Sequence, residues 1–284
     1  MKYYVSDMDG TLLAKGGSLS TKTKAGLTEL LNRGLNFTVA SARSYTSIRS
    51  VFEGVPLKLP IITHDGGLIY DLQKQKPLTF RGLEVNLARN IYKIAKAAGT
   101  YPFLECVYDD NEYFMTENLK NDGMKWMVDY RGTAGAKICV GEHDFETYGD
   151  HLLSFTFIDT AEPLLKVQEK VKALYGDKIK THFYTEWDCY NWCCMTIHDA
   201  KANKGQGIKD LAEILNIHHH HVTVFGDNHN DLAMFMTAGR AVAVENAIPE
   251  LKSNSHLQIG HHNDDSVFHF LYDEFHAKVF EIEN

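Results

Sequence analysis

Cysteine is scarce in this 284-residue chain: Cys106, Cys139, Cys189, Cys193 and Cys194 are odd in number, form no C-x-x-C pair, and include two sequence neighbours. A disulfide framework is therefore excluded, and reduced thiols in a reducing compartment fit best. No stretch approaches the run of about 20 apolar residues that a membrane span needs, so no membrane partner is expected. The opening Met1-Lys2-Tyr3-Tyr4-Val5 lacks the basic start, apolar region and small-residue cleavage site of a secretory signal. A cytoplasmic location is expected. Basic charge is also in short supply, with 29 Lys and Arg against 37 Asp and Glu and a formal net charge of -8. That argues against a nucleic-acid partner, which usually meets a basic face. Anionic small molecules remain compatible, because one bound metal and one well-placed lysine reverse the field locally. No repeat or low-complexity tract occurs apart from four consecutive histidines, His218 to His221.

What is present is alternation. Residues 2–6 are a short β-prone run, 35–40 a second and 59–63 a third. Between the first two, Leu19-Ser20 introduces a helix through Leu27, Leu30 and Leu31 that Arg33-Gly34 stops. Short apolar strands separated by helices predict an α/β fold, a doubly wound parallel sheet with helices on both faces. The middle differs. Residues 103–108 and 112–115 flank Asp109-Asp110-Asn111 in hairpin form, and 152–158, a helix through Leu164, Val167 and Val171, and segments 178–184 and 191–197 make an α+β block. Alternation then resumes with a helix over 204–215, a strand at 221–225 and a last sheet strand at 241–244. The expected organisation is a core of 1–81 and 199–284, interrupted by an inserted α+β domain, 82–198.

The acids sit at expected strand ends. Asp7-Met8-Asp9-Gly10-Thr11 follows the first strand, where open parallel sheets place their ligands. One carboxylate there can attack while the other exchanges protons, since an acyl-phosphate is an accessible covalent intermediate. A surface turn would use the same residue types. Gly226-Asp227-Asn228-His229-Asn230-Asp231 follows a later strand; its oxygen donors suit magnesium, and one of them can equally cap the next helix. Lys204 opens a helix, where it could neutralise a phosphoryl group or simply face solvent. Ser41-Ala42-Arg43 follows the second strand, where a hydroxyl and backbone N–H groups can hold phosphate oxygens.

Together these four segments resemble the haloacid dehalogenase superfamily of phosphatases, whose motifs occur here in the same order: Asp-x-Asp-Gly-Thr, a Ser or Thr after the second strand, a Lys, and an acidic Gly-Asp-x-x-Asn-Asp loop. The inserted domain and Asn203-Lys204-Gly205 resemble the Cof-type sugar-phosphatase branch, in which an α/β cap covers the active site. The resemblance implies Asp7 as nucleophile and Asp9 as acid, then base. It implies Mg2+ held by the Asp7 carboxylate, the Asp9 main-chain carbonyl and Asp227. Ser41, the Ala42 amide, Lys204 and Asn230 would hold phosphate, and Asp231 and Arg43 would support them from behind. The implied partner is a small phosphorylated metabolite, and the implied assembly a monomer or weak homodimer. A phosphomutase that returns the phosphate to another hydroxyl, or a silent binder of phosphorylated metabolites, are the alternatives to hydrolysis.

Two departures from the family pattern stand out. Ala42 replaces the glycine of Thr-Gly-Arg, and His64-Asp65-Gly66-Gly67 replaces Asn-Gly, so an extra acid is expected near the cleft mouth, where it would disfavour acidic leaving groups. In the inserted domain, Trp187, Tyr190 and Trp192 either line a substrate pocket or fill the core. Cys193-Cys194 is expected to pack as small hydrophobes. His218 to His221 is expected to be a solvated loop, its adjacent side chains diverging and no Cys or carboxylate completing a zinc set. Linkers near 80–84 and 196–201 are expected to act as hinges.

Overall fold

A computed structural model describes residues 2–142, 145–184 and 192–282. The chain forms two compact units, one of residues Met1–Thr79 with Asn203–Asn284, the other of Phe80–Ala202. These divisions differ from those expected at 81/82 and 198/199. At the second, the last strand of the inserted unit runs to Asp199 and a turn follows in which Ala202 N–H donates to Asp199 O (3.0 Å). Residues 196–199 are therefore strand, not linker.

In the first unit, β1 (Tyr3–Ser6) is followed by an irregular helical turn over 8–12 and by α1 (Thr21–Asn32), β2 (Phe37–Val39), α2 (Tyr45–Val51), β3 (Ile61–Thr63), β4 (Leu68–Asp71) and β5 (Lys76–Phe80). α1 shows why the sequence folds this way. Ser20 caps it by accepting from Thr23 N–H (2.9 Å). Leu27, Leu30 and Leu31, spaced on one face, are fully buried, each contributing about 1.5–3 kcal/mol. Its end is a complete Schellman motif: Leu35 N–H donates to Leu30 O (2.9 Å) and Gly34 N–H to Leu31 O (3.2 Å), with Gly34 at φ 97. That turn aims the chain into β2.

The inserted unit holds α3 (Val85–Ala97), β6 (Phe103–Tyr108), β7 (Asn111–Thr116), α4 (Asp122–Thr133), β8 (Lys137–Val140), α5 (Phe145–Tyr148), β9 (Leu152–Asp159), α6 (Ala161–Tyr175), β10 (Ile179–Tyr184) and β11 (Cys193–Asp199). Its sheet order is β10-β11-β9-β6-β7-β8. Asp109 and Asp110, at φ 47 and 55, make the two-residue turn between β6 and β7. Alternate strand residues face opposite layers. Leu104, Cys106, Phe157, Cys193 and Met195 pack under α3 and α6, whereas Phe103, Phe114 and Ile158 pack with Met124 and Met127 of α4. Trp192 packs against this second cluster, and Cys193 and Cys194 are buried among the apolar residues of the core.

The chain then returns to the first unit through α7 (Lys204–Ile214), β12 (Val222–Gly226), α8 (Leu232–Thr237), β13 (Arg240–Ala243), α9 (Pro249–Ser253), β14 (Leu257–Gln258) and α10 (Ser266–Ile282). The sheet β14-β13-β12-β1-β2 is parallel throughout. β12 is buried at every residue, as expected of a central strand covered on both faces. Two expectations need correction. The last sheet strand is β14, a two-residue edge too short and too exposed to show a hydrophobic signature. His221 lies outside β12: His219–His221 form a 3-10 turn, and that curvature brings the rings together instead of splaying them. No helix among the described residues is long and apolar enough to cross a membrane.

Candidate active site

β1 and β12 deliver the acids to one edge. The two strands run in register, Ser6 beside Phe225, and Asp7 N–H donates to Phe225 O (2.9 Å), so Asp7 and Asp227 emerge from neighbouring strand ends. Asp9 (φ -74, ψ 123) and Gly10 (φ 77, ψ 0) then form a type II turn. Gly10 is required twice over, for its positive φ and because a Cβ there would lie 2.5 Å from Asp227 Oδ2. Thr11 Oγ1 donates to Asp227 Oδ1 (2.9 Å), and Asn246 Nδ2 donates to Gly10 O (2.7 Å), pinning the turn.

Lys204 opens α7, which Asn203 caps by accepting from Gln206 N–H (2.9 Å). Gly205 lets α7 approach α8 closely, since a Cβ there would lie 2.4 Å from Ala233 O. That approach buries Lys204 completely, against the alternative of a solvated helix start. Its Nζ donates to Asp7 Oδ1 (2.5 Å) and Asp231 Oδ1 (2.7 Å). Asp231 Oδ2 accepts from the N–H groups of Asp227 (2.9 Å) and Asn228 (3.1 Å). Asp231 is thus committed at both oxygens.

Three carboxylates, Asp7, Asp227 and Asp231, offer oxygens within 4.8 Å of one another. Burial, then repulsion from Asp231 and Asp227, pushes the Asp7 carboxyl well above its ordinary range, although Lys204 opposes this. Burial and then Asp231 likewise raise Asp227. Burial alone would lower the Lys204 ammonium, but Asp231, Asp7 and Asp65 outweigh it and hold the charge on. Three carboxyl groups thus crowd around one ammonium.

The remaining expected residues lie in two linked loops of the same unit. Ser41 is buried, Ala42 exposed. Ser41 Oγ accepts from Arg43 N–H (3.2 Å), and Ser41 O accepts from Asp65 N–H (3.0 Å). Thr63 Oγ1 donates to Arg43 O. Arg43 reaches Asp9 directly, Nε to Oδ2 (2.7 Å) and Nη2 to Oδ1 (2.6 Å), a bidentate pair; the Asp9 side chain remains 55% exposed. Asn230 Nδ2 donates to Asp65 Oδ1 (3.1 Å), so the extra acid holds a residue expected at the phosphate. Asp65 sits at φ 50 and ψ 33, a left-handed position that Asp, Asn and Gly tolerate. Trp187 and Tyr190 lie outside the described residues. Sequence reasoning missed Thr11, Asn246 and the direct Arg43–Asp9 pair. Thr11 stands inside the first motif, and Asn246 shortly follows a parallel strand, so position alone could have flagged both.

The haloacid dehalogenase-like hydrolase family matches residues 4–271. A Buchnera aphidicola (subsp. Schizaphis graminum) protein is 26% identical over 270 residues, covering 94% of this chain and 93% of its own. The 5-amino-6-(5-phospho-D-ribitylamino)uracil phosphatase of Bacillus subtilis is 25% identical over 297 residues, covering 95% and 97%. A Thermotoga maritima protein of known crystal structure is 25% identical, superimposes with a TM-score of 0.77, and covers 96% of this chain and 97% of its own.

Proposed function

The chain belongs to the haloacid dehalogenase-like hydrolases, as a phosphoric monoester hydrolase, and from that premise we propose a magnesium-dependent phosphatase that works through an aspartyl-phosphate on Asp7. The observation that carries this reading is the sharing of Lys204 Nζ between buried Asp7 and Asp231, with Asp227 beside them.

The residues fit a hard divalent cation. Asp227 and Asp7 are oxygen donors that burial and repulsion from Asp231 push up, whereas both oxygens of Asp231 already accept hydrogen bonds from Lys204 and from backbone N–H groups. We assign Mg2+ to the Asp7 and Asp227 carboxylates and the Asp9 main-chain carbonyl; when bound, it supplies charge compensation for the phosphate oxygens. Asp7 attacks phosphorus through a carboxylate oxygen as the bond to the leaving oxygen breaks. Asp9 gives that oxygen a proton, then takes one from the water that attacks phosphorus and releases Asp7. Arg43 holds Asp9 by both oxygens, so Asp9 must yield one of them to exchange a proton, and Arg43 fixes its direction. Lys204, Ser41, the Ala42 amide and Asn230 neutralise or hold phosphate oxygens, the dominant requirement of phosphoryl transfer. Asp65 keeps Asn230 in place.

Excess chelator should abolish turnover, and added Mg2+ should restore it. Full turnover in chelator would remove the cation from the scheme.

We assign substrate choice to the inserted unit, because the first unit's motifs account for the phosphate and little else. A sugar phosphate is the favoured class, consistent with the Cof-type resemblance and with the ribityl phosphate in the name of the Bacillus relative. The protein acts in the cytoplasm in this reading, on free metabolites. Trp187→Ala or Tyr190→Ala should change kcat/KM among sugar phosphates by about tenfold or more, the scale of one lost pocket contact. Hydrolysis of a small aryl phosphate should stay largely intact. Equal losses on both classes would mean that these aromatics support folding only.

A further inference from the structure

The histidine run has no part in the chemistry above. His218 leads into the 3-10 turn His219–His221, and the three rings of His218, His219 and His220 pack with centroids 4.4–4.8 Å apart. Each offers one ring nitrogen, and these atoms lie within 4.8 Å of one another. His219 is half-buried and its neighbours are exposed, so the group opens outward.

We propose that His218, His219 and His220 form a binding site for a borderline divalent transition metal such as Zn2+, separate from the carboxylate centre. Imidazole suits zinc, copper and nickel and does not suit magnesium. Three imidazoles at about 2.0–2.1 Å from the ion would leave a fourth position toward solvent, the pattern of a three-histidine site. His219 is oriented for this role. Its Nδ1 donates to Thr237 O (2.7 Å), which fixes the tautomer and leaves Nε2 with its lone pair, the usual outer support of a ligating histidine. Gly239 lets the turn sit tightly on that neighbouring segment, because a Cβ there would lie 1.9 Å from His220 O. His218 Nδ1 accepts a long bond from His220 N–H (3.3 Å). Ligation through His218 Nε2 moves its ring proton to Nδ1 and releases that bond, so binding the ion costs one weak cap.

The site lies at the opposite end of β12 from Asp227, a strand of five residues or about 16 Å at ~3.3 Å per residue. Metal there does not enter the phosphatase chemistry.

The test titrates Zn2+ into the full chain with Mg2+ in excess, reading free zinc with a chromophoric chelator and following the thermal midpoint in parallel. The comparison is His218→Gln/His220→Gln, which keeps the His219–Thr237 bond. The double variant should lose one tight equivalent, with any residual binding weaker by at least about tenfold. Zinc should raise the wild-type midpoint more than the variant's, and zinc-free turnover should be equal in both. Should the double variant fail to fold, His220→Gln alone, at an exposed position, repeats the measurement. Equal tight equivalents and equal zinc-dependent shifts in wild type and variant would overturn the proposal.

Discussion

Asp7→Asn should lower turnover by at least about 10³-fold, the scale seen when a covalent nucleophile is removed. The amide keeps the volume and can still accept from Lys204 Nζ, which lies 2.5 Å from Asp7 Oδ1. It is a far poorer nucleophile and a weaker ligand for a hard cation. Stability should move little, within about 1 kcal/mol, because two effects oppose each other. The substitution relieves repulsion among Asp7, Asp227 and Asp231, and it weakens one charge-assisted bond. Steady-state rates and a denaturant midpoint, taken together, check this. Appreciable residual turnover in a folded Asp7→Asn protein would mean that water attacks directly.

Lys204→Ala should damage both rate and stability. The ammonium is fully buried and is shared by Asp7 and Asp231. Removing it leaves two buried carboxylates without their common counter-charge, an effect of about 3–5 kcal/mol for a broken buried pair. Asp231 keeps the two amide N–H groups of Asp227 and Asn228, so the lower end of that range is expected. Turnover should fall by about 10²–10³-fold, as when one preorganised electrostatic contact is lost. Asp7→Asn and Lys204→Ala therefore separate: both lose activity, and only the second loses much stability. A Lys204→Ala protein as stable as wild type would show that the lysine charge is not needed to hold the cluster.

Much of this site was legible because parallel sheets put functional residues just past strand ends. Asp7, Ser41 and Asp227 each follow an apolar run, and their positions needed no knowledge of packing. Lys204 was harder. Nothing in Asn203-Lys204-Gly205 distinguishes a solvated lysine from a buried one, and its burial follows from the close approach of α7 to α8 across Gly205. The Arg43–Asp9 pair and the Asn230–Asp65 bond join residues distant in sequence, so loop geometry alone reveals them. β14 escaped because two edge residues carry no periodic signal. The histidines are largely solvent-exposed, as expected, but the packing of their rings escaped for a local reason: an extended loop would splay four adjacent rings, whereas a 3-10 turn gathers three.

The central claim is a covalent phosphoryl group on Asp7, and trapping it is the direct measurement. Wild type and Asp9→Asn are mixed with a radiolabelled phosphate ester and Mg2+, quenched in acid at short times, and digested. Asp9 is exposed and directed by Arg43, so its loss should slow water attack more than phosphoryl transfer, provided the leaving group needs little protonation. An aryl phosphate meets that condition. Label should accumulate on the peptide containing Asp7, persist longer in Asp9→Asn than in wild type, and leave on treatment with hydroxylamine. Product release with no protein-bound label at any time in either protein, or label on a peptide without Asp7, would contradict the account.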